Sequence, residues 1–155
     1  MDTVSLRDRE MPLALLMPFI KERLAAGQAV RFSPKGTSML PMLRQGIDSV
    51  VLSPLPGKLK KYDLPLYQRH DGSFVLHRIV RVGDTYTCIG DNQFQQEHGV
   101  RHEQMIGVVT AFYRDQKRWK VFSAAYLVYC RMWHYTRFPR RVFRWLKTRV
   151  RGLLR

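Results

Sequence analysis

Cysteine is scarce in this chain: two in 155 residues, Cys88 and Cys130. They lie far apart and fit no metal or redox spacing, which excludes a disulfide framework and a zinc ribbon. They read as reduced thiols that pack as small hydrophobes, suited to a reducing compartment. Long apolar runs are missing too. Residues 11–20 are apolar, but Pro18 interrupts them, and a membrane span needs roughly 20. The same stretch makes a poor signal peptide. Asp8 and Glu10 sit beside Arg7 and Arg9, and Lys21, Glu22 and Arg23 stand where small residues would precede cleavage. Residues 121–135 are apolar and aromatic but short, and Arg131 breaks them. The expectation is a cytoplasmic chain with no span of its own. Gly-rich phosphate loops, internal repeats and low-complexity linkers are also absent.

Acid is scarce in one region above all. Residues 114–155 carry 13 Lys/Arg against a single acid, Asp115, a net +12. Residues 1–113 carry 14 basic and 11 acidic residues, a net +3. The body is therefore nearly neutral, and the tail calls for an anionic partner: phospholipid, nucleic acid or an acidic protein.

Three zones follow. In residues 1–27, Leu13, Leu16, Met17, Ile20 and Leu24 recur at helical spacing and Gly27 marks a stop. Residues 28–118 are rich in β-branched and aromatic residues, punctuated by Gly, Pro and Asp; strands are expected at 29–32, 49–53, 64–68, 74–82, 86–89 and 106–113, with turns at Asp71-Gly72 and Gly83-Asp84. Residues 119–155 read as helix broken near Pro139. The predicted fold class is mainly β (α+β): a β body of several short strands, an N-terminal helix and C-terminal basic amphipathic helices.

The chemistry concentrates in three stretches. Between two strands runs Gly36-Thr37-Ser38-Met39-Leu40-Pro41, where a small hydroxyl is held in a sharp turn by a proline that fixes its own φ and biases its neighbour. His77 stands inside the apolar run 75–80, where a half-buried imidazole beside a hydroxyl serves as a general base near neutral pH. Gly90-Asp91-Asn92 ends the next strand, and Asp91 can fix the tautomer of an imidazole.

Together these residues resemble the signal peptidase and LexA-type serine peptidases. The resemblance covers about residues 32–113 and rests on the Ser-Met-x-Pro box at Ser38, the His77-Arg78 pair, Gly90-Asp91-Asn92 and, more weakly, Gly107. Because His77 occupies the position that bacterial relatives give to Lys, the chain is similar to the Ser-His branch of archaeal and endoplasmic-reticulum signal peptidases. The resemblance implies a signal-peptidase/LexA-like β body and a serine endopeptidase that cleaves extended peptides, often after small side chains. Ser38 would be the nucleophile, His77 the base, and Asp91 the third member, with Glu97 as the alternative. The Ser38 N–H, Thr37 and Gly36 would support the oxyanion; Gly36 replaces the hydroxyl residue that signal peptidases often place there. Gly46-Ile47-Asp48 has one residue more than the usual Gly-Asp.

Two further groups call for a reading. His98 and His102 with Glu97 and Glu103 resemble a zinc spacing only on a helix; with Gly99 between them they read as a solvated loop, and no metal or cofactor is expected. In the tail, Phe138, Val142, Trp145 and Leu146 recur three or four residues apart among Arg140, Arg141, Arg144 and Lys147, the composition of an interfacial helix on anionic lipid. The expected partners are thus a peptide or protein substrate and an anionic membrane surface, with peripheral association from the cytoplasm. Nucleic acid is disfavoured, since no DNA-reading motif is present. Two rival readings are a catalytically silent membrane adaptor with the same fold and a LexA-like DNA-binding regulator, for which the residues before the serine box leave little room.

Overall fold

A computed structural model describes residues 3–5 and 12–153. For Arg144 and Lys147, two of the predicted lipid-binding residues, side-chain placement lies outside that description. The fold is α+β: an N-terminal helix, two sheets of short strands, and two C-terminal helices. In chain order the elements are β1 (Thr3–Ser5), α1 (Leu13–Ala25), β2 (Ala29–Phe32), β3 (Ser49–Ser53), β4 (Pro65–Gln68), β5 (Phe74–Leu76), β6 (Arg78–Val82), β7 (Tyr86–Ile89), β8 (Glu97–Val100), a 3-10 turn (His102–Gln104), β9 (Met105–Arg114), β10 (Lys117–Lys120), α2 (Ala124–Tyr135) and α3 (Arg137–Leu153).

The large sheet has the order β1-β2-β3-β9-β4-β5. Its spine is β9, rich in β-branched and aromatic residues that suit a pleated, buried surface. One edge of β9 pairs with β3; the other pairs first with β4 and then with β10. Asp115 and Gln116 both take positive φ, 49° and 63°, the two-residue turn that closes the β9–β10 hairpin. Helix α1 buries Met17, Ile20 and Leu24, the face its periodicity predicts. It lies close to the sheet at Gly107: a Cβ built there would stand 2.9 Å from both the Leu52 side chain and the Ser53 carbonyl, and 3.0 Å from Leu24. The second sheet is an antiparallel meander, β6-β7-β8. One core joins α1, the large sheet and α2; another, with Tyr67, Ile79, Tyr86, Cys88 and Met105, lies where the two sheets meet.

Four expectations need correction. The strand predicted at 74–82 divides at His77: β5 belongs to the large sheet and β6 to the small one. A chain passing between two sheets is covered on both sides, so residues 76–80 are buried without alternation. The predicted loop at 97–100 is a strand, paired with β7. Trp119 and Lys120 complete β10 instead of opening the helical tail. The tail breaks at Thr136, not Pro139; Pro139 falls in the first turn of α3, where an amide has no helical acceptor to lose.

Candidate active site

Ser38 sits on a turn that its own neighbours anchor. Met39, Met42 and Leu43 are all buried in the main core, each stabilising the turn by roughly 1.5–3 kcal/mol. Leu40 N–H donates to the Thr37 carbonyl (3.2 Å) and Leu43 N–H to the Met39 carbonyl (3.0 Å), and the Leu40-Pro41 peptide is cis. Asp48 closes the far end: it accepts from Arg44 N–H (2.8 Å) and pairs with the Arg44 guanidinium (2.7 Å). The Gly36 N–H donates to Gln45 Oε1 (3.1 Å) and so is already committed. The Thr37 carbonyl accepts from the Asn92 side chain (3.2 Å). Ser38 N–H has no acceptor among the described residues.

His77 occupies the crossover between β5 and β6 and is only 1% exposed. Its Nδ1 lies 2.9 Å from Glu97 Oε1. The same carboxylate accepts from Arg69 Nε at 2.8 Å and from its Nη2, and the Tyr67 hydroxyl stands 3.3 Å from Nδ1. Burial pushes Glu97 up, but Arg69, Tyr67 and His77 together hold it below its ordinary value. Burial likewise drives His77 down, Glu97 opposing and Arg69 adding to it, with the net result below 6.5. An ionised carboxylate only accepts, so Glu97 favours the tautomer that carries its proton on Nδ1 and leaves Nε2 its lone pair.

That lone pair belongs to the Ser38 side of the molecule. A Cβ added at Gly90 would lie 2.7 Å from the Ser38 carbonyl, 3.1 Å from His77 Nε2 and 3.1 Å from Gln93 Oε1. Ser38, His77 and Gln93 line one cleft of about 200 Å³. No hydrogen bond joins Ser38 Oγ to His77 among the described residues; catalytic bonds are commonly loose in a free enzyme and tighten on substrate. A larger groove, about 720 Å³, runs past Lys21, Arg69 and Gln104 but holds neither Ser38 nor His77.

The Asp91 carboxylate bonds Arg78 and Tyr129, while the carboxylate beside His77 Nδ1 is that of Glu97. The two Asp91 oxygens accept from Arg78 Nε and Nη2, both at 2.8 Å, and from the Tyr129 hydroxyl at 2.9 Å. Arg78 is buried and extends to Tyr126 (2.5 Å), Cys130 (2.9 Å) and Met42 (3.0 Å). A buried guanidinium demands a carboxylate, and Asp91 answers that demand. The motif therefore divides its labour. Gly90 leaves room for Ser38 and His77, Asp91 neutralises Arg78, and Asn92 N–H holds the Ser38 carbonyl at 2.8 Å. Tyr67, Arg69 and Gln93 escaped the sequence reading; the first two lie in and just after β4, and Glu97 comes to them from β8 of the other sheet.

The remaining predicted residues fall elsewhere. Arg140 is not a free cation: its guanidinium stacks 3.5 Å above Trp133 and donates to the Trp133 carbonyl at 2.5 Å. Arg141 and Trp145 are exposed. His98 faces Thr87 and His102 faces Tyr86, each at 3.3 Å, and among the described residues no group of three or more metal-binding side chains converges. Burial, then Glu97, pushes the Cys88 thiol up to about 12, so it is inert. No known protein family and no curated protein matches the chain.

Proposed function

We propose that the chain is a serine endopeptidase in which Ser38 is the nucleophile, His77 the base and Glu97 the acid that orients it. One observation carries the reading: Nδ1 of His77 lies 2.9 Å from the Glu97 carboxylate, and His77 and Ser38 line the same cleft. The chemistry follows from those roles. Nε2 takes the Oγ proton as Oγ attacks the scissile carbonyl, and Glu97 stabilises the imidazolium. The uncommitted Ser38 N–H is the donor that would serve the oxyanion, where one donor is worth roughly 3 kcal/mol. Collapse breaks the C–N bond as the imidazolium protonates the departing amine. Water, deprotonated by Nε2, then hydrolyses the ester and returns the proton to Ser38.

An extended substrate suits the cleft. Its walls include Pro34, Lys35 and Gly36, which follow β2, and Phe74, Val75 and Leu76 of β5. These stretches come from opposite parts of the strand order, and a peptide laid between them adds a strand to the outer edge of β5. The small volume and the apolar wall of Phe32, Met39 and Leu43 favour short side chains at the cut.

A fluorophosphonate reagent tests this, with a panel of extended peptides carrying Ala, Gly or Ser. The expected result is one phosphonyl adduct on Ser38, peptide cleavage, and loss of about 10⁴–10⁶ in kcat for Ser38→Ala. A protein that neither labels nor cleaves is a silent adaptor or regulator, and the peptidase reading ends there.

A further inference from the structure

We propose that α2 and α3 form a docking surface for an anionic lipid bilayer, lying in its interface. Along α3, Phe138, Val142, Phe143, Trp145 and Leu146 are all exposed, Phe138 at 75%. On α2, Val128, Met132 and Tyr135 recur at helical spacing and are also exposed, Tyr135 at 74%. Positions 144, 147 and 151, all basic, recur at spacings of three and four on the side of α3 opposite Phe138 and Val142. Between Arg137 and Leu153 there are seven basic residues and no acid.

Charge selects the occupant. A second copy would bring two such cationic helices together and be repelled. Nucleic acid would satisfy the cations but leave a row of large apolar side chains in water. An anionic bilayer takes both faces: the apolar side enters the acyl boundary and the cations meet headgroup phosphates. Crossing is excluded, because among the described residues no helix is long and apolar enough to span a membrane. The opposite face of α2 supplies Tyr126, Tyr129, Cys130 and Trp133 to Arg78 and Asp91. Docking therefore holds the Ser38 cleft at a fixed offset from the lipid surface. The docking itself does not depend on the peptidase reading.

Flotation of the full-length protein with vesicles tests the proposal. Binding is expected to phosphatidylcholine vesicles containing about a third phosphatidylglycerol, with little to phosphatidylcholine alone and release at high salt. The triple variant Phe138→Ser, Phe143→Ser, Leu146→Ser keeps every charge and alters only exposed side chains. It should lose about tenfold or more in vesicle partition at an unchanged Tm. Ser38→Ala should float like the parent, so failure of catalysis leaves this result readable. Equal flotation of the triple variant, equal binding to neutral vesicles, or tighter binding to duplex DNA than to vesicles would overturn the proposal.

Discussion

His77 Nδ1 and Glu97 Oε1 stand 2.9 Å apart, joining the crossover between two sheets to a strand that the sequence presents as a polar loop. The partner of the imidazole is thus set by the pairing of β8 with β7, in which Glu97 lies opposite Cys88. Asp91, nearer to His77 along the chain, is taken by Arg78.

The two acids should separate cleanly by measurement. Glu97→Gln removes tautomer control and is expected to lower kcat by about 10²–10⁴ with little loss of stability. Asp91→Asn leaves Arg78 without its countercharge and should cost about 3–5 kcal/mol in unfolding free energy, while the folded fraction keeps most of its kcat. Urea titration beside peptide kinetics distinguishes them; the opposite pattern would return Asp91 to the orienting role.

Acidity gives a second handle. Burial lowers His77 below 6.5, with Glu97 opposing. The native state therefore binds fewer protons than the unfolded chain in the window beneath 6.5. The contribution of His77 to stability is full above 6.5 and is lost as pH falls from there through the folded value. The acid limb of kcat/KM should likewise lie below 6.5. In Glu97→Gln, which removes the raising influence, the limb should move to still lower pH. A limb displaced upward in that variant would contradict the assignment of His77 as the base.

Gly90 has no space for a methyl group. A Cβ would stand 2.7 Å from a backbone oxygen, the Ser38 carbonyl, which cannot swing aside. Gly90→Ala should push the serine turn from His77, costing about 10² in kcat and about 1–3 kcal/mol in stability. Gly83→Ala is the control, since the nearest atom to its added Cβ is 3.7 Å away. Equal kinetics in both variants would remove Gly90 from the site's geometry.

Arg78 and Asp91 form a buried pair, with side chains 3% and 2% exposed. Arg78→Met alone should destabilise by about 3–5 kcal/mol, because it strands a carboxylate. Adding Asp91→Leu should recover most of that loss by removing the stranded charge. Additive losses in a double-mutant cycle would mean that the two residues are uncoupled and that each acts through its other contacts, which would overturn this account.

Local chemistry made much of this legible. Periodicity marks α1, β-branched runs mark β2, β3 and β7, and the serine box and Gly90-Asp91-Asn92 come together in space, Asn92 N–H donating to the Ser38 carbonyl. What stayed hidden depends on contacts between distant parts. No pattern in residues 93–100 signals a strand, because Glu97 and His98 earn their place only by pairing with β7. The division at His77 needs two sheets to exist before it can be seen. The surroundings of Arg78 cannot be read from its neighbours, because α2 supplies Tyr126 and Cys130 around it. Pro139 misled because proline breaks a helix interior yet is at ease in a first turn.

The Arg78 cage also sets an order of events during synthesis. Its walls come from Met42, Asp91 and helix α2, which lies downstream of the entire β body. Until Tyr126, Tyr129 and Cys130 arrive, the guanidinium and its carboxylate face water, and the strand end that bears Asn92 lacks its backing. Asn92 in turn holds the Ser38 carbonyl. The turn that bears Ser38 is therefore completed late. A nascent chain halted before Ala124 is expected to resist the fluorophosphonate, and one carried past Tyr135 to accept it.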